Sequence, residues 1–401
     1  MLQSHDTRLF LPPRGSRRSV RAPVFLLVGM VVAASSAGCR EERSGAPAGP
    51  ATAASQPAPP QTAPAPLAPP RTAPATTASA ALQRFEFQQP KMGAAFRIVL
   101  YAPDQGAADR AAEAAFVRVD ALNAILSDYD PESEISRLSR RTLDGPMAKP
   151  VKVSDELFHV LDASQKVAKL TDGAFDVTVG PFGGLWRRSN QLGQLPKPAR
   201  IEEARRSVGH QHVRLDPGTQ TVQLLAPRMK LDVAGIAVGY VVDEALRALG
   251  KAGVDRALID AGGDLGMTGP PPGAKGWRVA VQSLRAPQET TGEFVELSHA
   301  SISTSGDTYR YVEIDGVRYS HILDPRTGLG LTQRIGVTAI ARDGLTADWL
   351  DTAVAVLGRE RGTTVVESTP GAAARITTIG PDGGITVSET AGFRRFVAPG
   401  R

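Results

Sequence analysis

Residues 46–80 limit the folding of this 401-residue chain more than any other stretch. They consist almost entirely of Ala, Pro, Thr, Ser, Gln and Gly, and Arg71 carries their only charge. Such a composition cannot bury enough apolar surface to form a core, and its prolines favour extended polyproline II. We therefore predict a disordered linker over residues 40–81, which separates an N-terminal leader from one large domain at residues 82–398.

The leader, residues 1–39, has the layout of a secretory signal. Five arginines precede the apolar run VFLLVGMVVAA, which is too short to favour a permanent transmembrane helix. The small residues SSAG lead into Cys39, as in a lipoprotein cleavage box, although Ser36 stands where that box prefers Leu. We predict export, by either the general or the twin-arginine route, and lipidation of Cys39. The alternative is simple cleavage nearby, which would leave a free thiol.

The cysteine content excludes intramolecular disulfides, and the net charge argues against a nucleic-acid-binding surface. Cys39 is the only cysteine, so the chain cannot form an intramolecular disulfide. The formal net charge is +5, but five Arg and one Asp in the leader account for +4 of it. The mature protein is therefore near neutral, which argues against a nucleic-acid-binding surface.

Beyond Leu82 the patterns alternate between strands and a few long helices. AFRIVLYA alternates like a strand, whereas AADRAAEAAFVRVDALNAILS and SDELFHVLDASQKVAKL have helical spacing, the second with Ser154 as its N-cap. MKLDV resembles a short strand, and Asp315-Gly316 predicts a hairpin turn. Runs of strands interrupted by helices favour an α+β fold over a regular βαβ array.

The segment LTADWLDTAVAVLG, residues 345–358, has one unusual edge. Its apolar residues recur at helical spacing, and Gly358 could end the helix. The other edge carries Asp348, Asp351 and Thr352. With Thr346 as N-cap, Asp348 would simply complement the helix dipole, but that does not account for the other two. Hard oxygen atoms converging on one edge are the ligands that Mg²⁺ prefers.

A second polar stretch, residues 302–328, offers other chemistry. Residues 303–306 could hold an anion, and His321 with Asp324 could supply a base, although each motif taken alone is more often structural. No Walker A loop, G-x-S-x-G elbow or H-E-x-x-H motif occurs in the chain.

Seven stretches, taken in order, resemble the FAD:protein FMN transferase family, also called the ApbE family. They are KMGAAFRIVLY, SDYDPESEISRLS, DGAFDVTVGPFGGLW, LDVAGIAVGYVVD, IDAGGDL, STSGDTYRYVEIDGVRYSHILDPRTG and TADWLDTAVAVLG. Together they cover about residues 84–395, which is essentially the whole domain. A leader with a linker also fits the family.

The resemblance implies roles for individual positions. The FAD-contacting positions of the family correspond to Met92, Tyr129, Ala174, Phe175, Asp176, Asp232 and Leu323. The Mg²⁺ ligands correspond to Asp348, Thr352 and the main-chain carbonyl of Gly235, and Asp351 is a further candidate that we place with the cofactor-binding residues. His321 matches a histidine that would act as general base.

The resemblance also implies a fold and a reaction. The fold would be α+β, with mixed sheets flanked by helices and a nucleotide cleft between two lobes. The enzyme would use Mg²⁺ to move FMN from FAD to a Thr or Ser hydroxyl of an acceptor protein, such as a membrane redox-complex subunit, and would release AMP. Its lipid anchor would hold it at the periplasmic side of the bacterial inner membrane.

Two other activities fit the same residues. Water as acceptor would make the protein an FAD pyrophosphatase that yields FMN and AMP. A lipid-anchored flavin-binding protein without turnover is the other alternative. It gains support from Val238, which stands where the family commonly has Lys or Glu.

Overall fold

The computed structural model describes residues 81–286, 289–308 and 310–399. The predicted leader with Cys39, and residues 40–80 of the predicted linker, lie outside these ranges. The described residues form seven α-helices: α1 (Gln105–Leu126), α2 (Glu134–Arg140), α3 (Asp155–Leu170), α4 (Gly180–Leu192), α5 (Pro198–Arg205), α6 (Ala234–Lys251) and α7 (Gly344–Ser368). None of the helices within these ranges is both long and apolar enough to cross a membrane.

Strands alternate with these helices along the chain. They are β1 (Gln83–Lys91), β2 (Ala94–Ala102), β3 (Val151–Lys152), β4 (Val213–Asp216), β5 (Thr221–Leu224), β6 (Ala257–Ala261), β7 (Leu265–Met267), β8 (Trp277–Gln282), β9 (Thr290–Leu297), β10 (Ala300–Gly306), β11 (Tyr311–Ile314), β12 (Val317–Ser320), β13 (Leu323–Asp324), β14 (Leu329–Gly330), β15 (Arg334–Ala341), β16 (Ala373–Ile379) and β17 (Ile385–Glu389).

The central element is an eight-stranded antiparallel sheet with the order β1-β2-β6-β7-β10-β15-β16-β17. Smaller sheets pair β3-β5-β4, β8-β9, β11-β12 and β13-β14. Antiparallel sheets together with helices confirm the predicted α+β class. The order also places β7 and β10 side by side in the middle of the sheet. β7 packs against α6, and β10 packs against α7.

Both faces of the central sheet are covered, and β2 shows why. Its alternation places Phe96, Ile98 and Leu100 in the main core, where α1, α6 and α7 also pack. Val99, which points the other way, lies in a second core with Trp277 of β8. Burying each such side chain contributes about 1.5–3 kcal/mol, so the period of two in this strand fixes which face meets the helices.

Helices α6 and α7 cross at two glycines. A Cβ added at Gly239 would lie 2.0 Å from the main-chain oxygen of Gly344, and one added at Gly344 would lie 2.4 Å from the oxygen of Gly239. No side chain fits between the two backbones there. This close approach explains the small residues at the start of α6, and it brings the polar edge of α7 against α6.

Several local predictions can be compared with the structure. Ser154 is the N-cap of α3 and accepts from the N–H of Leu157, and the hairpin turns at Asp315-Gly316, where both residues have positive φ. Two predictions are wrong. MKLDV forms no strand, because its residues enter the connection to α6. The N-cap of α7 is Asp343 rather than Thr346, since the carboxylate of Asp343 accepts from the Thr346 N–H.

Candidate active site

Helix α7 carries two buried carboxylates beside its core-facing surface. Asp348 and Asp351 are 5% and 1% exposed, and Thr352 is half-buried. The apolar face packs into the main core through Leu350 and Val354. The helical path breaks at Gly358, whose φ of +75° ends the segment where the sequence pattern predicted. The polar edge therefore faces the protein interior, and its charges need partners there.

Three hydroxyl groups hold the carboxylate of Asp351. Ser303 donates to its Oδ2 at 2.6 Å, Ser305 donates to its Oδ1 at 2.9 Å, and Thr352 donates to Oδ1 at 3.1 Å. Ser303 and Ser305 share one face of β10 because side chains alternate along a strand. Thr304 on the other face pairs with Thr338. The predicted anion-binding segment is thus a strand whose serine hydroxyls bind a carboxylate of the protein itself.

Asp264, which the sequence reasoning did not single out, joins this group. It follows the turn after β6, and the hydroxyl of Ser303 contacts Asp264 as well as Asp351. A hydroxyl carries one proton and can donate to only one carboxylate at a time. Asp260 shapes the turn by accepting from the N–H groups of Gly262 and Gly263. The signal was present in IDAGGDL, where an acidic residue directly follows a two-glycine turn.

Burial raises the pKa of three carboxylates, which we call the carboxylate cluster: Asp264, Asp348 and Asp351. Burial is the largest cause for each, and the charge of Asp264 raises the pKa of the other two further. Burial raises the pKa of Asp264 to about 6. Within the described ranges no Lys, Arg or His forms an ion pair with the cluster. A bound cation would stabilise the ionised forms.

The oxygen atoms around the cluster fit Mg²⁺, but only as a mixed set. The described residues contain no group of three or more His, Cys, Asp or Glu side chains arranged to hold a metal by themselves. Hydroxyl and carbonyl oxygens must therefore contribute. A Cβ at Gly235 would lie 3.1 Å from Oγ1 of Thr352, so the two residues adjoin. A hard donor set of carboxylate, hydroxyl and carbonyl oxygens is the kind that Mg²⁺ takes.

The backbone of α6 is adapted at this point. Gly235 departs from helical geometry, with φ −89° and ψ 19°. In a regular helix its carbonyl would accept from the N–H of Gly239, but that N–H donates to Oδ2 of Asp348 at 2.9 Å. The Gly235 carbonyl can therefore accept another partner. The structure brings Gly235, Asp348 and Thr352 to one α6–α7 junction, and their role as metal ligands stays a prediction.

The segment 174–176 borders this junction. All three of its residues are buried, and the ring of Phe175 would lie 3.4 Å from a Cβ at Gly235. The carboxylate of Asp176 is already occupied, because it accepts from the N–H and hydroxyl of Thr178 and from the N–H of His210. Asp176 thus holds its own loop in place, and the N–H groups of Ala174 and Phe175 are bonded to the carbonyl and hydroxyl of Thr171.

A second polar group surrounds Asp232. Burial raises the pKa of Asp232, and the charge of Asp128 raises it further. The Asp128 side chain is only 6% exposed and lies 3.1 Å from Nζ of Lys230. Gly183 lies beside Asp232, since a Cβ there would be in van der Waals contact with Oδ2 at 3.5 Å. Sequence reasoning named Asp232 but neither Asp128 nor Lys230.

Tyr129 lies on the rim of this group. Its side chain is 75% exposed, and the guanidinium of Arg187 lies 5.4 Å from the centre of its ring. An exposed aromatic ring next to a cation offers a stacking surface for a flat heterocycle. Met92, at the β1–β2 turn with φ +51°, is half-buried against the main core, and Leu323 of β13 is half-buried beside Trp186 and Tyr319.

His321 follows β12 and is oriented by one carbonyl group. Its Nδ1 lies 3.1 Å from the main-chain oxygen of Arg310. A carbonyl only accepts, so Nδ1 carries the proton and Nε2 can act as a base. Desolvation by the surrounding protein lowers the pKa of His321 to about 4, and the charge of Arg310 lowers it too. The ring is therefore neutral at pH 7, and the side chain stays open to solvent on one side.

Known proteins match the chain over this whole arrangement. A sequence model described as the ApbE family matches residues 92–376, which include every site residue from Met92 to Thr352. A Salmonella typhimurium protein named FAD:protein FMN transferase is 33% identical over 300 residues, covering 73% of this chain and 83% of the relative. A Vibrio cholerae protein of the same name is 32% identical over 286 residues, covering 70% and 83%.

Solved structures agree with the sequence matches. The flavin transferase ApbE from Vibrio cholerae superposes with a TM-score of 0.69 at 27% identity, covering 79% of this chain and 99% of that structure. The apo form of the Pseudomonas stutzeri flavinyl transferase ApbE has a TM-score of 0.69 at 30% identity, covering 80% and 98%. The match in sequence and the match in fold cover the same domain, and the chain belongs to the ApbE family.

Proposed function

We propose that this protein transfers FMN from FAD to a Thr or Ser hydroxyl of an acceptor protein and releases AMP. Membership in a family whose relatives are FAD:protein FMN transferases supports flavin transfer. The observation that carries the proposal is the carboxylate cluster. Its two α7 members are buried, it has no cationic side-chain partner among the described residues, and it lies beside hydroxyl and carbonyl oxygens.

The residues of the α6–α7 junction have binding roles in this proposal. Asp348, Thr352 and the Gly235 carbonyl would hold Mg²⁺, and Asp351 with its three hydroxyl donors would support them. When bound there, Mg²⁺ would neutralise charge on the FAD pyrophosphate and on AMP as it leaves. The FAD itself would lie against the predicted contact residues: Met92, Tyr129, Ala174, Phe175, Asp176, Asp232 and Leu323.

The chemical step is a substitution at phosphorus. Nε2 of His321 would take the proton of the acceptor hydroxyl, and the hydroxyl oxygen would form a bond to the phosphorus of the FMN half of FAD. The pyrophosphate P–O bond would break, and AMP would leave with its electron pair. The product is FMN joined to the acceptor through a phosphoester, with no change in oxidation state. The tautomer of His321 supports this assignment because Nε2 lacks a proton.

The activity can be tested with a denaturing gel. The mature protein is incubated with FAD, MgCl₂ and a candidate acceptor, and flavin fluorescence is sought on the acceptor band while AMP is measured. Labelled acceptor with equimolar AMP supports transfer. AMP without label indicates a pyrophosphatase, and tight FAD retention without AMP indicates a binding protein, in which case Val238 is the residue to examine.

Asp348 is the decisive position for the metal. Asp348→Asn keeps an acceptor for the Gly239 N–H, so we expect it to fold. Its rate of Mg²⁺-dependent FMN transfer should fall by at least about a hundredfold, as is typical when a metal ligand or a charge-stabilising group is removed. Asp382→Asn, at an exposed turn between β16 and β17, is the matched control and should keep full activity. Full activity in Asp348→Asn would contradict the metal assignment.

We also propose that the protein acts outside the inner membrane on exported or membrane redox proteins. The leader and Cys39 motivate this proposal. Mass spectrometry of the mature N-terminus would test it, since a diacylated Cys39 is expected and an unmodified N-terminus elsewhere in the leader would contradict lipidation.

A further inference from the structure

Asp243 is a buried carboxylate that the proposed mechanism does not use. It lies in α6, is 9% exposed, and accepts hydrogen bonds from two N–H groups in the first turn of α7. The Gly344 N–H lies 2.7 Å from its Oδ1, and the Leu345 N–H lies 3.0 Å from its Oδ2. The first N–H groups of a helix have no partner within the helix, so a carboxylate from a neighbouring helix can satisfy two of them.

The contact has a counterpart in the opposite direction. One turn earlier on α6, the Gly239 N–H donates to Oδ2 of Asp348, and Asp348 lies one turn after Gly344 on α7. Each helix therefore presents one carboxylate to main-chain N–H groups of the other. Between the two sets lies the Gly239–Gly344 crossing, where the backbones touch and no side chain intervenes. We call this arrangement the reciprocal clamp.

The clamp determines where Asp348 can point. With Oδ2 tied to α6, the orientation of α7 against α6 helps to set the position of the other carboxylate oxygen. That orientation depends on the first turn of α7, which Asp243 holds. Displacements of a fraction of an ångström are enough to disturb a metal or catalytic site.

We propose that Asp243 is a positioning residue for Asp348: by holding the first turn of α7 against α6, it places the carboxylate edge of α7 for cation binding. The proposal rests on the proposed function for its consequence in catalysis, but the clamp itself is a property of the fold. It is supported by two directed hydrogen bonds to Asp243, one to Asp348, and the glycine crossing between them.

The matched variants are Asp243→Asn and Asp343→Asn. Both remove one negative charge from the N-terminus of α7. Asp343 is the N-cap residue directly before α7 and does not belong to α6. Asn is an equally good N-cap, so Asp343→Asn leaves the link between α7 and α6 intact. Asp243→Asn keeps one acceptor oxygen and replaces the other by an amide NH₂ group, which donates and cannot accept.

Two readouts separate positioning from simple stabilisation. The first is the MgCl₂ concentration that half-saturates the rise in unfolding temperature of the protein without FAD. We expect Asp243→Asn to raise it roughly tenfold or more, and Asp343→Asn to leave it unchanged. The second is amide hydrogen exchange at Gly239. It should accelerate in Asp243→Asn, although the Gly239 N–H is bonded to Asp348 and not to the altered side chain. Normal Mg²⁺ dependence and normal Gly239 exchange in Asp243→Asn, whatever its stability, would overturn the proposal.

The readouts remain decisive if other parts of the scheme fail. If the unaltered protein does not transfer FMN, the proposed function is lost, while exchange at Gly239 still judges the clamp. If Asp243→Asn does not fold, exchange in the unaltered protein decides instead. The amides of Gly239, Gly344 and Leu345 should then open together, and exchange at Gly239 more than tenfold slower than at the other two would refute the coupling.

Discussion

His321 and Asp243, two of the ionisable side chains outside the carboxylate cluster, have displaced pKa values that can be measured. Both displacements arise mainly from burial, but they act in opposite directions because one group is cationic when protonated and the other is anionic when deprotonated. Burial lowers the pKa of His321 and raises that of Asp243. One controls the proposed chemistry, and the other contributes to stability.

We expect that titration of His321 does not change the rate of FMN transfer between pH 6 and 8. The base must be neutral, and with a pKa of about 4 it becomes protonated only in acid, so the rate should fall as the pH falls through that value. The measurement is the pH dependence of initial rate at saturating FAD. His299→Asn, at an exposed turn before β10, should leave the profile unchanged. A midpoint near 6.5, the ordinary value, would contradict the assignment.

For Asp243 we expect stability to depend on pH with a defined sign. Its pKa rises from 3.8 in the unfolded chain to about 6 in the folded protein, so folding favours the protonated form. The contribution is fully present below pH 3.8, is lost as the pH rises through 6, and amounts to about 2–3 kcal/mol. Urea unfolding of the parent and of Asp243→Asn at pH 4 and pH 7 measures it, and the parent should lose more free energy of unfolding.

Other charged or titratable side chains lie near Asp243, and they are the same in the parent and in the variant. They are Asp343, Arg342, Arg247 and His299, which line the same cavity of about 270 Å³. The carboxylate cluster titrates in both proteins, so its effect cancels in the difference. Equal pH dependence in the parent and the variant would refute the predicted shift.

At the scale of elements, the crossing of α6 and α7 is the contact on which the site depends. It requires glycine for reasons of space, since neither Gly239 nor Gly344 has positive φ. Any larger residue must push the helices apart, and the metal-facing edge of α7 would move with them.

Gly239→Ala should therefore destabilise the fold and impair Mg²⁺ binding. Its Cβ would lie 2.0 Å from a main-chain oxygen that cannot rotate away, so we expect a loss of at least 1–3 kcal/mol, roughly the cost of overpacking. Gly250→Ala is the matched control in the same helix. It has nothing within 4 Å and should stabilise by about 0.5–1 kcal/mol. Thermal unfolding with and without MgCl₂ compares them, and equal behaviour would contradict the steric argument.

At the scale of the whole molecule, two cores on opposite faces of one sheet account for the stability of the domain. The larger core joins α1, α6 and α7 to β2, and the smaller joins the sheet to β8 and β9. The C-terminal Phe393 completes the second core and is fully buried. The domain thus ends close to the sheet on which it is built.

We expect a protein that begins at residue 81 to fold and to retain activity. In the part of the chain that the structure describes, the residues packed into the two cores begin at Phe85, and residues 46–80 lack the apolar side chains to add to them. Its unfolding temperature should match that of the longer protein within about 2 °C, and its kcat for FMN transfer should be unchanged. A large fall in either would show that the N-terminal residues support the domain.

Local patterns determined much of this protein. The alternation in β2, the Ser154 cap, the Asp315-Gly316 turn and the α+β class all follow from interactions between residues close in sequence. The order of seven motifs was enough to indicate the family. The resemblance also named Asp348 and Thr352, and their spacing of four residues placed them on one edge of a helix.

Only the tertiary structure decided which of these groups meet. Gly239 and Asp348 are 109 residues apart, and Asp243 and Gly344 are 101 apart, so no local pattern could pair them. The addition of Asp264 to the cluster, the use of Ser303 and Ser305 as donors to Asp351, and the reciprocal clamp all depend on how the sheet and helices pack. Burial then sets the pKa values, since the cost of removing a charge from water is a property of the surroundings and not of the residue.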